Sequence, residues 1–182
     1  MANVVSAADA TLVELFSGLR PRVFAKLVRQ LRREGADPWS RGRPWSLDFE
    51  DRVLLVAAYW RTNLTMRQLA ALFGTSKSAA DRIIDDLGPK LALRPRKRFA
   101  PGTVLIVDGT LVPTRDHAVA AKSKNYQYST NYQVAIDADA RLVARVEHAF
   151  ASMKVWKVLR DCRLRGNGVS CDAVAVRAVG TR

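Results

Sequence analysis

The chain has 182 residues, an apolar fraction of 48%, and 30 lysines and arginines against 17 aspartates and glutamates, which gives a formal net charge of +13. This length suits one ordinary domain, or a small helical domain followed by part of another, and the positive charge favours a polyanionic partner, most often nucleic acid, over a merely basic soluble protein. Two cysteines are too few for a disulfide framework, and no apolar run approaches the roughly 18–20 residues that a membrane span needs.

The N-terminal half of the chain has helical periodicity. Apolar residues recur at helical spacing over residues 7–35, and Pro21 divides this stretch into two predicted helices because proline interrupts a helix interior. A third helix is predicted over residues 48–60, after a Gly- and Pro-rich loop at 35–46. The predicted apolar face of the first helix consists of Leu12, Leu15, Phe16 and Leu19. That of the third consists of Val53, Leu54, Ala57 and Trp60.

Residues 65–87 have the spacing of a helix-turn-helix. Thr65 is a suitable N-cap, and Gly74 can adopt the left-handed conformation that ends a helix. Ser76 can cap the helix that follows. We therefore predict two helices that cross closely through a short turn, as in DNA-binding proteins. The alternative is a structural helical hairpin with no ligand.

In a DNA-binding helix-turn-helix, the second helix enters the major groove. The residues of that helix that we expect to face bases or phosphates are Lys77, Ser78 and Arg82. A basic segment between two prolines follows at 93–102 and is predicted to be an interdomain linker that tracks phosphates, with a solvated tether as the alternative. Its predicted DNA-binding residues are Arg96, Lys97 and Arg98.

After this linker the pattern changes from helical to strand-like. Residues 103–107 predict a buried strand that ends at Asp108, beside a Gly-Thr turn. A second strand is predicted over 132–136 and the start of a return strand over 141–143. Helical periodicity resumes from about residue 145.

An acid at the end of a buried strand suits a hard divalent ion such as Mg²⁺ or Mn²⁺. Two or three such acids on one platform can hold two ions for phosphodiester cleavage. Glu147, at the start of the last predicted helix, is the best second ligand for a site at Asp108. Asp116, Asp137 and Asp139 are better explained as loop or turn residues. Asp108 itself has an alternative interpretation as a turn-initiating residue before glycine.

Three blocks of this sequence resemble the DDE transposases of bacterial insertion sequences, in the order that the family has them. The blocks are VLIVDGTLVPT, SKNYQYSTNYQVAIDADARLV and ARVEHAFASMKVWKVLRDCRL. The resemblance covers roughly residues 40–168 and implies an RNase H-like catalytic domain, dependence on Mg²⁺ (or Mn²⁺), and cutting and joining of DNA at transposon ends. It implies that Asp108 and Glu147 are catalytic metal ligands and that Lys154 is the signature lysine, which contacts DNA.

The chain departs from this family between the second and third blocks. In the family, several dozen residues separate these blocks and carry a middle catalytic Asp. Here the second block ends at Val143 and the third begins at Ala144, with no residues between them. The middle Asp therefore has no counterpart. The C-terminus also leaves the family pattern after about Val169. We interpret these departures as an internal deletion, followed by a frameshift near the end, in a copy that is catalytically impaired.

These interpretations predict an α+β chain. We expect an all-α DNA-binding domain with the helix-turn-helix and basic linker over residues 1–98, then a truncated RNase H-like α/β domain over 99–182. The expected partner is double-stranded DNA at transposon ends, with a homodimer left open, no membrane and no small-molecule substrate. The expected location is the bacterial cytoplasm, in association with the nucleoid. The competing hypothesis is a non-catalytic DNA-binding helix-turn-helix protein or a transposase remnant.

Overall fold

The structure of the chain is a computed structural model that describes residues 4–37, 44–91, 105–122, 124, 128–137, 156, 157, 160 and 162. At residues 105–108, 110 and 132–137 the structure describes the backbone but not the side chains. The chain divides into two compact units, Met1–Leu91 and Ala92–Arg182. The described part of the first is helical, and that of the second contains a small antiparallel sheet. The coarse prediction of a helical N-terminal region followed by strands is therefore confirmed.

The first two helices lie on either side of the predicted break at Pro21. Helix α1 (Ala10–Ser17) starts where the Asp9 carboxylate accepts hydrogen bonds from the backbone N–H groups of Thr11 and Leu12, at 2.8 and 3.3 Å. Helix α2 (Pro21–Arg33) has Pro21 at its first position, where the missing N–H group has no helical partner to lose.

The predicted apolar face of α1 is wrong at Leu15, and Leu19 lies beyond the end of the helix. Leu15 is 63% exposed, and the fully buried residues of this helix are Val13 and Ser17. A serine can be buried here because its hydroxyl donates to the carbonyl oxygen of Val13 at 2.5 Å, so that burial leaves no unsatisfied donor. The inward face of α1 is thus rotated away from the face that its leucines indicate.

Helix α3 (Phe49–Thr62) is the centre of the first unit. The sequence predicts a single aliphatic face, but Leu55, Val56 and Ala58 are also fully buried. The reason is that α1, α2 and a later helix all pack against it, so it has almost no side left for solvent. Burial on nearly every side is expected for such a central element, and even Asp51 and Arg52 of α3 are buried, at 8% and 6% exposure.

The sheet of the second unit has three strands. They are β1 (Leu105–Pro113), β2 (Ala121–Lys122) and β3 (Tyr128–Asp137), and their spatial order is β1-β3-β2 with antiparallel pairing throughout. The strand predicted over 132–136 is therefore longer than expected. The return strand predicted over 141–143 and the last predicted helix lie outside the described residues.

The prediction that the first strand ends at Asp108 is wrong. Asp108 is opposite Val134 in the interior of β1, and the ladder continues through the Gly109–Gln133 pair to the Pro113–Ser129 pair. A strand continues for as long as its residues have backbone partners on the neighbouring strand. β3 supplies such partners for Asp108, for Gly109 and for the residues on either side of them. The dipeptide therefore stays extended although its composition is typical of a turn.

The end of β1 is joined to a residue much later in the chain. The backbone N–H of Cys162 donates to the carbonyl oxygen of Pro113 at 2.9 Å, and that of Arg115 donates to the carbonyl oxygen of Cys162 at 3.0 Å. Cys162 is buried, at 2% exposure, beside a parallel bridge to Thr114. Elsewhere, none of the described helices has the length and apolar character needed to cross a membrane.

Candidate nucleic-acid interface

A reciprocal cap fixes the start of α4 (Met66–Leu72). The backbone N–H of Gln68 donates to the hydroxyl oxygen of Thr65 at 3.3 Å, and the backbone N–H of Thr65 donates to the side-chain oxygen of Gln68 at 2.9 Å. Each residue thereby satisfies a donor that a helix N-terminus leaves unpaired. The predicted N-cap at Thr65 is confirmed, and Gln68 is the partner that sequence reasoning missed.

The turn after α4 is held by the local bonds of a glycine-terminated helix. Gly74 has a positive φ of 62°, which a residue with a Cβ adopts only with strain. The next backbone N–H, of Thr75, donates to the carbonyl oxygen of Ala70 at 2.9 Å, as in a Schellman motif. Phe73 is fully buried at the last position before this turn. The direction of the chain after α4 therefore follows from Gly74 and Phe73 together.

Helix α5 (Lys77–Leu91) completes the helix-turn-helix. The Ser76 hydroxyl oxygen accepts a hydrogen bond from the backbone N–H of Ala79 at 3.1 Å, so the predicted cap is confirmed. The inner face of α5 packs on α3 and α4. The buried residues of that face are Ala80, Ile83, Ile84, Leu87 and Gly88.

The three predicted DNA-binding residues of α5 lie together on its exposed face. Lys77, Ser78 and Arg82 are all exposed, and Arg82 is one helical turn after Ser78, whose carbonyl oxygen accepts from the Arg82 Nε at 3.3 Å. Asp81 is exposed on the same face and was missed, although its spacing of four from Lys77 indicates this position. The N-terminal half of α5 thus presents two cations, one hydroxyl and one carboxylate.

The charge of this face changes sign along the helix. Asp85 and Asp86 are exposed in the C-terminal half, where Lys90 is paired with Asp86 at 2.5 Å. Two carboxylates with one paired lysine would repel a phosphate, whereas Lys77 and the helix N-terminus would attract it. The arrangement therefore favours a polyanion at the N-terminal end of α5.

Arg82 is also held from the side by an aromatic ring. Its guanidinium carbon lies 5.6 Å from the centroid of Trp45, and the guanidinium carbon of Arg52 lies 5.5 Å from the same centroid. Arg52 is 6% exposed, is paired with Asp37 at 2.6 Å, and lies 5.2 Å from the Phe49 ring centroid. Trp45 thus connects an exposed arginine to a buried one. Sequence reasoning missed this interaction because no periodicity links a loop residue before α3 to a residue of α5.

We expect Trp45 and Arg82 to be energetically coupled. Urea unfolding of the Trp45→Ala, Arg82→Ala and doubly substituted chains should give a coupling free energy of about 0.5–1 kcal/mol, the usual value for an exposed cation–π pair. The same cycle with Lys90→Ala in place of Arg82→Ala is the control, since Lys90 lies two helical turns beyond Arg82. Equal coupling in the two cycles would contradict the cation–π interaction.

The other predicted site residues are not brought together by the part of the chain that the structure describes. Arg96, Lys97, Arg98, Glu147 and Lys154 all lie outside the described residues. Asp137 ends β3 opposite Leu105, three ladder positions from the Asp108–Val134 pair, which is roughly 10 Å along a strand. Among the described residues, no group of three or more His, Cys, Asp or Glu could hold a metal ion.

Comparison with known proteins agrees with the geometry of the helical unit. Residues 45–97, from Trp45 through α5 and beyond it, match the family model described as the helix-turn-helix of DDE superfamily endonuclease. A protein of Streptomyces albus G named "Putative transposase for insertion sequence element IS112" is 52% identical to this chain over 239 aligned positions, which cover 93% of the chain and 93% of that protein.

That alignment is longer than the chain itself. Its 239 positions exceed the 182 residues available here, so the relative contains residues that have no counterpart in this chain. No solved structure matches the chain. Identity of this level over almost the whole chain, with a matching helix-turn-helix, shows common descent. The chain therefore belongs to the DDE-superfamily transposases of bacterial insertion sequences.

Proposed function

We propose that this chain binds the ends of its insertion sequence as duplex DNA through α5, and that this copy cuts DNA poorly. The observation that carries the proposal is the exposed, capped N-terminal half of α5, on which Lys77, Ser78 and Arg82 lie together. It is the part of a helix-turn-helix that contacts base edges in the major groove. The proposed site of action is the bacterial cytoplasm, where such DNA is found.

The side chains suit different parts of the duplex. Lys77, at the first position of α5, suits a phosphate, because a lysine acts as a point charge and the helix N-terminus adds to the attraction. Arg82 suits the O6 and N7 atoms of guanine, since a guanidinium can donate to both, and the Trp45 ring limits its orientations beforehand. Asp81 can accept from the amino group of cytosine. The basic linker with Arg96, Lys97 and Arg98, and Lys154 further on, would bind additional phosphates.

The proposed loss of cutting rests on the composition of the second unit. Asp108 and Glu147 are the residues that would hold Mg²⁺ or Mn²⁺ in an RNase H-like domain, and the chain has no counterpart of the family's middle Asp. The greater length of the alignment with the Streptomyces relative supports an internal deletion in this chain. The alternative function, a DNA-binding protein without catalysis, is favoured by the same asymmetry between a complete helix-turn-helix and an incomplete set of acids.

DNA binding by α5 can be tested by fluorescence anisotropy with a duplex of the element's terminal sequence and a scrambled duplex. We expect Arg82→Ala to weaken binding to the terminal duplex by roughly 5- to 150-fold, the range for removal of a bidentate base interaction of about 1–3 kcal/mol. Lys77→Ala should weaken binding to both duplexes. It should also reduce the salt slope, which is the decrease in log affinity per unit increase in log salt concentration, by about 0.9. The control is Lys90→Ala, which removes a cation from the acidic end of the same helix. This substitution should change neither the affinity nor the salt slope.

The proposal would be wrong if binding were indifferent to salt between roughly 50 and 200 mM, since the neutralisation of phosphates releases counterions. It would also be wrong if Lys90→Ala reduced binding as much as Arg82→Ala. That result would show that net charge alone, and not the N-terminal half of α5, governs the interaction.

A further inference from the structure

Helix α2 carries an excess of positive charge that packing does not require. Residues 20–33 contain six lysines and arginines and no aspartate or glutamate. This helix lies before the region that matches the family's helix-turn-helix, which begins at residue 45. Its charge therefore calls for an explanation separate from that of α5.

Four of these cations form one stripe. Arg22, Lys26, Arg29 and Arg33 are spaced by four, three and four residues, which places them on one face of a helix, and all four are exposed. We refer to these four residues as the α2 stripe. It extends over eleven residues, or about 16 Å, with a cation every 5 Å or so.

The opposite face of α2 is occupied. Phe24, Val28 and Leu31 are at most 4% exposed and pack the helix against its neighbours in the first unit. An amphipathic basic helix can lie on a membrane surface or in a partner's groove, but only if its apolar face is available. Because that face of α2 is in the core, the α2 stripe is what this helix presents to a partner.

The α2 stripe is also unfavourable for the helix itself. Like charges three or four residues apart repel one another, and cations near a helix N-terminus oppose its dipole. Arg32, between two stripe residues, is paired with Glu50 at 2.7 Å, whereas within the described part of the chain no ion pair with a carboxylate is found for the stripe residues. Arg29 Nε donates only a long bond of 3.4 Å, to the carbonyl oxygen of Ala25.

We infer that the α2 stripe is a second DNA-binding surface, which binds the phosphate backbone of the duplex beside the site read by α5. Duplex DNA has a dense row of phosphates along each strand, so a stripe of four cations over about 16 Å can contact several of them. Phosphate binding of this kind positions a protein without reading sequence.

A series of cation–π interactions links Arg32, at the C-terminal end of α2, to α5 within the helical unit. The guanidinium carbons of Arg32 and Arg52 lie 5.3 and 5.2 Å from the Phe49 ring centroid. Arg52 and Arg82 share the Trp45 ring at 5.5 and 5.6 Å. The C-terminal end of α2 is thus connected to the DNA-facing part of α5 through two aromatic rings and the buried arginine between them. This inference rests on the proposed binding of duplex DNA by α5.

The test uses the full chain and the two duplexes described above. The triple substitution Arg22→Gln, Lys26→Gln and Arg29→Gln removes three charges and keeps residues of good helix propensity. We expect the salt slope to fall by about 2–3, or 0.9 for each phosphate that is no longer neutralised, with an equal loss of affinity for the terminal and the scrambled duplex. The matched control Arg22→Lys with Arg29→Lys keeps the charges and should keep the slope.

Circular dichroism of each variant checks that the helices are retained. If the triple variant does not fold, the single Lys26→Gln change should still lower the slope by about 0.9. An unchanged salt slope in folded variants, with Lys77→Ala still reducing binding, would overturn the proposal that the α2 stripe binds DNA. The proposed role of α5 would be unaffected. Loss of affinity for the terminal duplex alone would also overturn it, because phosphate binding is independent of sequence. If Lys77→Ala and Arg82→Ala are without effect as well, the proposed function fails with it.

Discussion

Replacing Phe73 with alanine is expected to destabilise the helical unit by about 3–5 kcal/mol, the usual cost of removing a buried aromatic side chain. Phe73 is fully buried, and it is followed directly by Gly74, at which the chain turns from α4 to α5. Its removal would leave a cavity at the junction of these helices. A change of this size is a large part of the roughly 5–15 kcal/mol that stabilises a typical domain. Urea unfolding followed by the helical circular dichroism signal would measure it.

Leu15→Ala is the matched control for this experiment. Leu15 is also a large apolar residue of the helical unit, but it is 63% exposed, and alanine is a good helix former. We expect the free energy of unfolding of this variant to lie within about 0.5 kcal/mol of the parent chain. A loss below about 1 kcal/mol for Phe73→Ala, or an equal loss for both variants, would contradict the placement of Phe73 in the core.

The second prediction with a large expected effect is that this chain cuts and joins DNA poorly. With Mg²⁺ or Mn²⁺ and a transposon-end duplex, we expect this chain to nick or join DNA at least about a hundredfold more slowly than a family member that retains all three catalytic acids. Two-metal phosphodiester chemistry needs enough oxygen ligands to hold both ions in line with the attacking and leaving oxygens. In the proposed site the chain retains Asp108 and Glu147 alone, which are too few ligands for both ions. A misplacement of about 1 Å can by itself cost roughly a hundredfold in rate.

Asp108→Ala supplies the control for this assay. If the parent chain lacks catalysis, the substitution should leave the residual rate unchanged, and DNA binding through α5 should be the same in both proteins. Robust cleavage by the parent chain that disappears in Asp108→Ala would contradict the proposal. It would mean that another acid, such as Asp137 or Asp139, has taken the place of the middle Asp.

Binding and cutting are expected to be separable in this chain because they depend on different units. The helix-turn-helix runs from the Thr65 cap to the end of α5, and α5 packs on α3 and α4 in the same unit. The acids belong to the second unit, in which Asp108 lies in the interior of an antiparallel ladder. Loss of residues from the second unit therefore need not disturb the first.

The features that could be predicted from the sequence are those held by short-range bonds. The caps at Thr65 and Ser76 and the left-handed Gly74 each involve partners within a few residues, so their residue types are sufficient to indicate them. Pro21 at the start of α2 is of the same kind. The position of Arg82 one turn after Ser78, on the exposed side of α5, follows from helical periodicity alone.

The features that could not be predicted depend on partners distant in the chain. Asp108 and the glycine after it have the composition of a turn, yet they remain extended because β3 supplies their ladder partners. Leu15 is exposed while Ser17 is buried, because α3 packs against a different side of α1 from the one its leucines indicate. Arg82 rests on Trp45 because α5 packs against α3, which begins shortly after the loop that carries the tryptophan. Periodicity and caps describe one segment at a time, whereas burial and ladder pairing depend on which other segment is adjacent.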